Sequence, residues 1–116
     1  MIEKGGSVLR LYVNERDRHE GVPLYEWIVL RARKEGISGA YAFRGVKGFG
    51  PDGEVHSFRF FRSTQETPVV VELVDEREKL SAFLRLMHGI IAEGLATESE
   101  AEVRIFRWEK TGADEP

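Results

Sequence analysis

Cysteine is absent from the chain, which excludes a disulfide framework and a thiolate metal site and leads to the expectation of a cytoplasmic protein. Long apolar runs are absent too. No stretch approaches the roughly 20 apolar residues of a membrane span, and the N-terminal MIEKGGSVLRLYV lacks an apolar signal core, so a soluble chain without membrane insertion is expected. Positive charge is not in excess. Lys and Arg number 17 against 20 Asp and Glu, a formal net charge of −3, which argues against a nucleic-acid partner. The three histidines, His19, His56 and His88, have no local metal-ligand spacing, and none stands in a nucleophile-and-base motif, so neither a metal nor a required cofactor is expected.

What is present fits one domain. With 116 residues, 41% of them hydrophobic, the chain can bury a core without staples; residues 1–110 read as a single domain and 111–116 as a disordered tail. Residues 1–6 read as a loose leader, and 7–14 as a strand with Leu9, Leu11 and Val13 toward the core. A charged connection, ERDRHEG, leads to a helix over 23–35 with Pro23 in its first turn and Gly36 at its end. Strands follow at 39–47, 55–62 and 68–74. Asp75 and Glu78, at capping-box spacing, open a second helix on which Leu80, Phe83, Leu84, Met87, Ile90 and Ile91 recur at helical intervals and which Gly94 ends. Residues 95–100, LATESE, read as a loop, and 102–108 as the last strand. The order gives an α+β fold, a ferredoxin-like βαββαβ sandwich with an antiparallel sheet, both helices on one face, and an extra hairpin or loop insertion after the second strand.

The candidate working site is the stretch 38–56, SGAYAFRGVKGFGPDGEVH, where an aromatic strand runs into three close glycines. Gly45, Gly48 and Gly50 leave backbone N–H groups uncovered while Arg44 and Lys47 supply positive charge, a combination suited to cradling a phosphate. The competing reading is a tight strand exit with no ligand. Right-handed crossovers bring the loops 15–21, 48–56 and 95–100 to one end of the sheet. The expected ligand-binding set is therefore Arg44, Gly45, Lys47, Gly48, Phe49, Gly50, His56 and Arg59, joined by Arg16 and Asp17.

VKGFG at 46–50, a polar loop, then TPVVVELVD and a helix resemble the core of the PII (GlnB-like) signal proteins, in which KGFG opens the long T-loop. The sequence is similar in particular to a PII-like family of unknown function, DUF190, through LRLYVNERDRHEGVPLYEWIV at 9–29, FRGVKGFG at 43–50 and PVVVELVD at 68–75. The resemblance implies a homotrimer that binds an adenine nucleotide in clefts between subunits and signals through a T-loop-like segment, here 51–67, to a transporter or enzyme target. Residues 47–50 match the base of that loop. In PII proteins the loop before the last strand is a Gly- and Lys-bearing phosphate clamp, whereas 95–100 offers Glu98 and Glu100. Carboxylates beside a triphosphate favour AMP or ADP as effector over ATP. The segment 51–67 has no tyrosine, so tyrosine-directed covalent control is not expected.

Two other classes share the fold. The KGFG element matches the opening of the RNA-recognition signature, but Pro51, Asp52 and Glu54 follow where aromatic and aliphatic residues are required. A small acylphosphatase would use an Arg-bearing loop after the first strand and an Asn on the second; Arg16 and Arg18 stand in the right loop, and the second strand has no Asn. A non-enzymatic regulator is the leading expectation, with a ligand-free structural module and an acylphosphatase-like enzyme as alternatives.

Overall fold

The computed structural model describes residues 2–51, 53, 56–57 and 67–107. Its elements are β1 (Ile2–Asn14), β2 (Arg18–His19), β3 (Val22–Pro23), α1 (Leu24–Lys34), β4 (Gly39–Arg44), β5 (Lys47–Gly48), β6 (His56–Ser57), β7 (Pro68–Asp75), α2 (Arg77–Met87) and β8 (Leu95–Ile105). The main sheet has the order β4-β7-β1-β8, with every neighbouring pair antiparallel. It follows that β1 runs parallel to β4 and β7 parallel to β8, as two interlocked βαβ crossovers require. The small β5–β6 ladder, Lys47 opposite Ser57 and Gly48 opposite His56, is the base of a hairpin inserted after the second strand of the core.

Both helices pack on one face because the sequence alternates on the central strands. Val69, Val71 and Leu73 of β7 are buried with Leu9, Leu11 and Val13 of β1, and they meet Leu24, Ile28 and Ala32 of α1 and Leu80, Phe83 and Met87 of α2. Each of these larger side chains contributes about 1.5–3 kcal/mol on burial. The i, i+4, i+8 spacing on α1 and i, i+3, i+7 on α2 put these residues on single stripes. The intervening strand positions form the opposite, helix-free face. There Arg10 and Glu72 stand opposite one another and pair at 3.1 Å, flanked by Tyr41 and Phe43, each more than half exposed.

Several boundaries differ from the sequence reading. Helix α1 begins at Leu24, because Pro23 is extended (φ −55°, ψ 133°) and pairs with Arg18 in the β2–β3 hairpin, so it precedes the first turn rather than standing in it, and β8 ends at Ile105 rather than at 108. Strand β1 begins at Ile2, because its first residues pair with Ala101 to Ile105 of β8; a Cβ on Gly6 would lie 2.7 Å from the Asp75 carbonyl, so the residue read as leader is a close-packed strand position. Strand β8 begins at Leu95, opposite Tyr12, so 95–100 is strand rather than loop. Helix α2 ends at Met87, where Ile90 and Ile91 donate back to the Met87 carbonyl, and Gly94 is not its terminator. Strand β4 stops at Arg44, after which the Gly45 N–H donates to the Pro68 carbonyl at 2.7 Å. Gly36 does end α1, at φ +79°.

Asp75 is fully buried at the end of β7. Its carboxylate accepts from the Ser38 N–H at 2.9 Å and the Glu76 N–H at 2.6 Å, and lies 3.3 Å from Lys79 Nζ. Burial pushes this carboxyl upward, but the donors from Glu76, Ser38 and Lys79 outweigh it and hold it below the usual aspartate value. The N-cap of α2 is Glu76 rather than Asp75, and no side chain caps the helix; Asp75, one residue earlier, instead fastens the turn between α1 and β4 through the Ser38 N–H. The strand expected at 55–62 is described only at His56 and Ser57, and the tail at 111–116, with Trp108, lies outside the described residues.

Candidate functional site

At the end of the sheet where β1, β4 and α2 deliver their connections, a cavity of about 350 Å³ opens, within the size range of small-ligand pockets. Its walls come from the exit of β1 (Tyr12 to Asn14, with Arg16 and Asp17), the glycine-rich run (Gly45, then Lys47 to Pro51), the start of β7 (Pro68 to Val70) and the connection Glu93 to Leu95. Four chain segments distant in sequence therefore converge on one space.

The β1 exit is fixed by its own side chains. Asp17 Oδ2 accepts from the Asn14 N–H at 3.0 Å, Asn14 Oδ1 accepts from the Arg16 N–H at 3.1 Å, and the Asp17 carbonyl accepts from the Leu24 N–H at 2.7 Å. This is the self-bonding behaviour that makes Asn and Asp turn formers. The charged connection then folds into a two-residue hairpin between β2 and β3, with Glu20 at φ 51° and Gly21 at φ 82°, as a tight type I′ turn requires. Trp27 donates from Nε1 to Glu20 at 3.3 Å and meets His19 edge-on at 4.6 Å, so both aromatic groups belong to this turn. Asn14 Nδ2 is buried with no hydrogen-bond partner among the described residues.

Of the ligand set expected from sequence, Arg16, Asp17, Gly45, Lys47, Gly48, Phe49 and Gly50 line the cavity together. Arg44 does not line it. Its guanidinium turns instead to Glu15, with Nε 2.5 and 2.8 Å from the two carboxylate oxygens, and this hydrogen bond, with the charge of Glu15, raises its pKa further. The backbone of His56 pairs with Gly48, whereas its side chain and all of Arg59 lie outside the described residues. Phe49 is largely exposed at the rim. Among the described residues the left-handed glycines are Gly21, Gly36 and Gly53 rather than Gly48 or Gly50; Gly50 has open space around it. Gly45 is the sterically demanding member, since a Cβ there would approach Pro68 Cγ to 2.9 Å.

Two residues that line the cavity were not singled out from the sequence. Gly94 passes so close to β1 that a Cβ would lie 2.6 Å from the Tyr12 carbonyl, and Glu93 joins Asp17 as a second acidic residue at the cavity. Glu98 and Glu100, expected there, lie on β8 opposite Leu9 and Ser7 and do not line it. Among the described residues no group of His, Asp and Glu converges as a metal site, and no helix is long and apolar enough to cross a membrane.

The model of the DUF190 family, described as Uncharacterized ACR, matches residues 6–103. The chain belongs to the DUF190 family. A UPF0166 protein of Aquifex aeolicus is 36% identical over 97 residues, which are 84% of this chain and 91% of that protein. A second UPF0166 protein, from Methanocaldococcus jannaschii, is 36% identical over 85 residues, 73% of this chain and 78% of its own. Among solved structures the DUF190 chain is similar to CPII, a nitrogen regulatory PII-like protein from Thiomonas intermedia, bound to ADP, AMP and bicarbonate. The TM-score is 0.67 at 12% identity, covering 88% of this chain and 91% of CPII. The apo form of CPII matches at a TM-score of 0.59 and 10% identity, over 88% and 95% of the two chains. The DUF190 chain thus has the PII-like version of the ferredoxin-like fold.

Proposed function

We propose that this protein is a non-enzymatic PII-like regulator that binds an adenine nucleotide in the cavity at the KGFG exit and reports its occupancy through residues 51–67 to a protein target, a transporter or an enzyme. The observation that carries the reading is the convergence of Lys47 and Arg16 with the backbone of Gly45, Gly48 and Gly50 around a space of ligand size. Positive charge beside uncovered N–H groups suits phosphate. The orphaned Nδ2 of Asn14, whose side chain is otherwise committed to the turn, supports a ligand too, since a buried donor without an acceptor costs about 1–3 kcal/mol. CPII, with the same fold, has been solved with ADP and AMP. Glu93 at the cavity opposes added phosphate charge and favours AMP or ADP over ATP.

A thermal-shift panel of AMP, ADP and ATP tests this. A ligand at a hundredfold its Kd stabilises the native state by about 2.7 kcal/mol, so AMP and ADP are expected to raise the Tm clearly and ATP less. No shift with any of the three would favour the ligand-free structural module.

The working unit is a homotrimer in this reading. Tyr41 and Phe43 lie 57% and 53% exposed on the helix-free face of a sheet whose edge strands are β4 and β8, and exposed aromatic clusters of this kind are characteristic of interfaces. Sedimentation is expected to give three times the chain mass at micromolar concentration. A monomer under those conditions would remove the assembly.

A further inference from the structure

We infer that Glu15 and Arg44 form a positioning pair, which holds the glycine-rich exit and the entrance of β7 in register and thereby sets the shape of the cavity without touching the ligand. Glu15 is a charged side chain only 5% exposed. Such a carboxylate requires partners to be retained, and its partners come from two other segments. Arg44, the last residue of β4, holds both carboxylate oxygens through Nε. Thr67, buried at the entrance of β7, brings Oγ1 to 3.4 Å from Oε1.

The backbone repeats the same connection. The Glu15 N–H donates to the Thr67 carbonyl at 2.9 Å, and the Gly45 N–H donates to the Pro68 carbonyl at 2.7 Å. The pair is flanked in sequence by Arg16 on one side and Gly45 on the other, both of which line the cavity, as does Pro68. A side chain 63% exposed on Arg44 against 5% on Glu15 means that the burial falls on the carboxylate while the guanidinium closes over it from outside. Removing either charge breaks the ion pair and leaves Gly45 held by its amide, and Glu15 by its amide and the Thr67 hydroxyl. A shift of these two walls changes the spacing between Lys47 and Arg16, where small misplacements are costly to binding.

The inference rests on the nucleotide reading for its affinity arm and is independent of it for its structural arm. Glu15→Gln, Arg44→Gln, Arg44→Lys and the Glu15→Gln/Arg44→Gln double variant are compared with wild type by hydrogen exchange without ligand and by calorimetric titration with ADP. Arg44→Gln leaves the buried Glu15 carboxylate without its cation, and the double variant, which removes both charges, keeps the test standing where that single variant fails to fold. Faster exchange of the Glu15 and Gly45 amides is expected in each Gln variant, with protection restored by Arg44→Lys. ADP binding is expected to weaken by about tenfold in either single Gln variant and by no more in the double, the non-additivity of two residues that act as one unit. Unchanged exchange of both amides in the Gln variants would overturn the pair, whatever the affinities. A loss of affinity in Arg44→Gln together with unchanged or tighter binding in Glu15→Gln would make Arg44 a ligand contact and overturn the assignment as well. If wild type binds no ADP, the nucleotide reading fails and the exchange data alone decide the positioning role.

Discussion

Replacing Asp75 by alanine is expected to cost about 3 kcal/mol of folding stability, because the N–H groups of Ser38 and Glu76 and the ammonium of Lys79 lose a charged acceptor at once, and bonds of this kind are worth about 1.5–3 kcal/mol each before the survivors find water. The effect depends on pH in a fixed direction. The native carboxyl lies below its ordinary value, so its contribution is fully present above the ordinary aspartate range and is lost as the pH falls through the depressed native value. Urea denaturation at a series of pH values should therefore show wild type and Asp75→Ala converging in acid and separating toward neutrality. A gap that stays constant with pH would mean that the buried carboxylate is not what fastens α2 and the α1–β4 turn.

Substituting Gly94 by valine is expected to damage both folding and the cavity. Its Cβ would stand 2.6 Å from the Tyr12 carbonyl and 3.4 Å from Ile91 Cγ2, and since a backbone atom of the central sheet is the obstacle, β1 or the 88–94 connection must move. Overpacking of this kind costs about 1–3 kcal/mol. Tyr12, Gly94 and Leu95 all line the cavity, so nucleotide binding should fall by more than the stability loss explains. Gly89→Ala serves as the control, because no atom lies near its Cβ position and it does not line the cavity. Equal stability of Gly94→Val and wild type would show that the close approach places no demand on this residue.

The parts of the fold legible in the sequence were those in which one residue period decides burial. PVVVELVD reads as a strand because alternate residues face the helices, and α2 reads as a helix because Leu80, Phe83 and Met87 share a stripe. The ends of β1 and β8 were not legible for the converse reason. LATESE is exposed along its whole length, so the strand carries no alternation and is recognisable only by its pairing with β1. Gly5 and Gly6 look like a leader until the Asp75 carbonyl and Val103 are seen to occupy the space a side chain would need at Gly6.

The candidate site divides in the same way. KGFG and the Arg16 loop could be found from residue type, since glycines and basic residues before a polar loop suggest a phosphate cradle. The partner of Arg44 could not. Glu15 lies 29 positions away, and sequence reasoning sees an unassigned arginine beside glycines where the fold provides a buried carboxylate for it. Glu93 and Gly94 were hidden by the assignment of the connection to 95–100, which placed its acidic charge on Glu98 and Glu100 of β8 instead of on Glu93.

Calorimetric titration of wild type and Lys47→Ala with ADP and AMP tests the central claim most directly. Lys47 is an exposed residue lining the cavity, so its removal should leave folding intact while deleting a cation that faces the ligand. The account predicts binding of both nucleotides by wild type, a loss of about 1.5–3 kcal/mol in the variant, and reduced discrimination between ADP and AMP. Undiminished affinity in Lys47→Ala, or no heat from wild type at millimolar nucleotide, would contradict it.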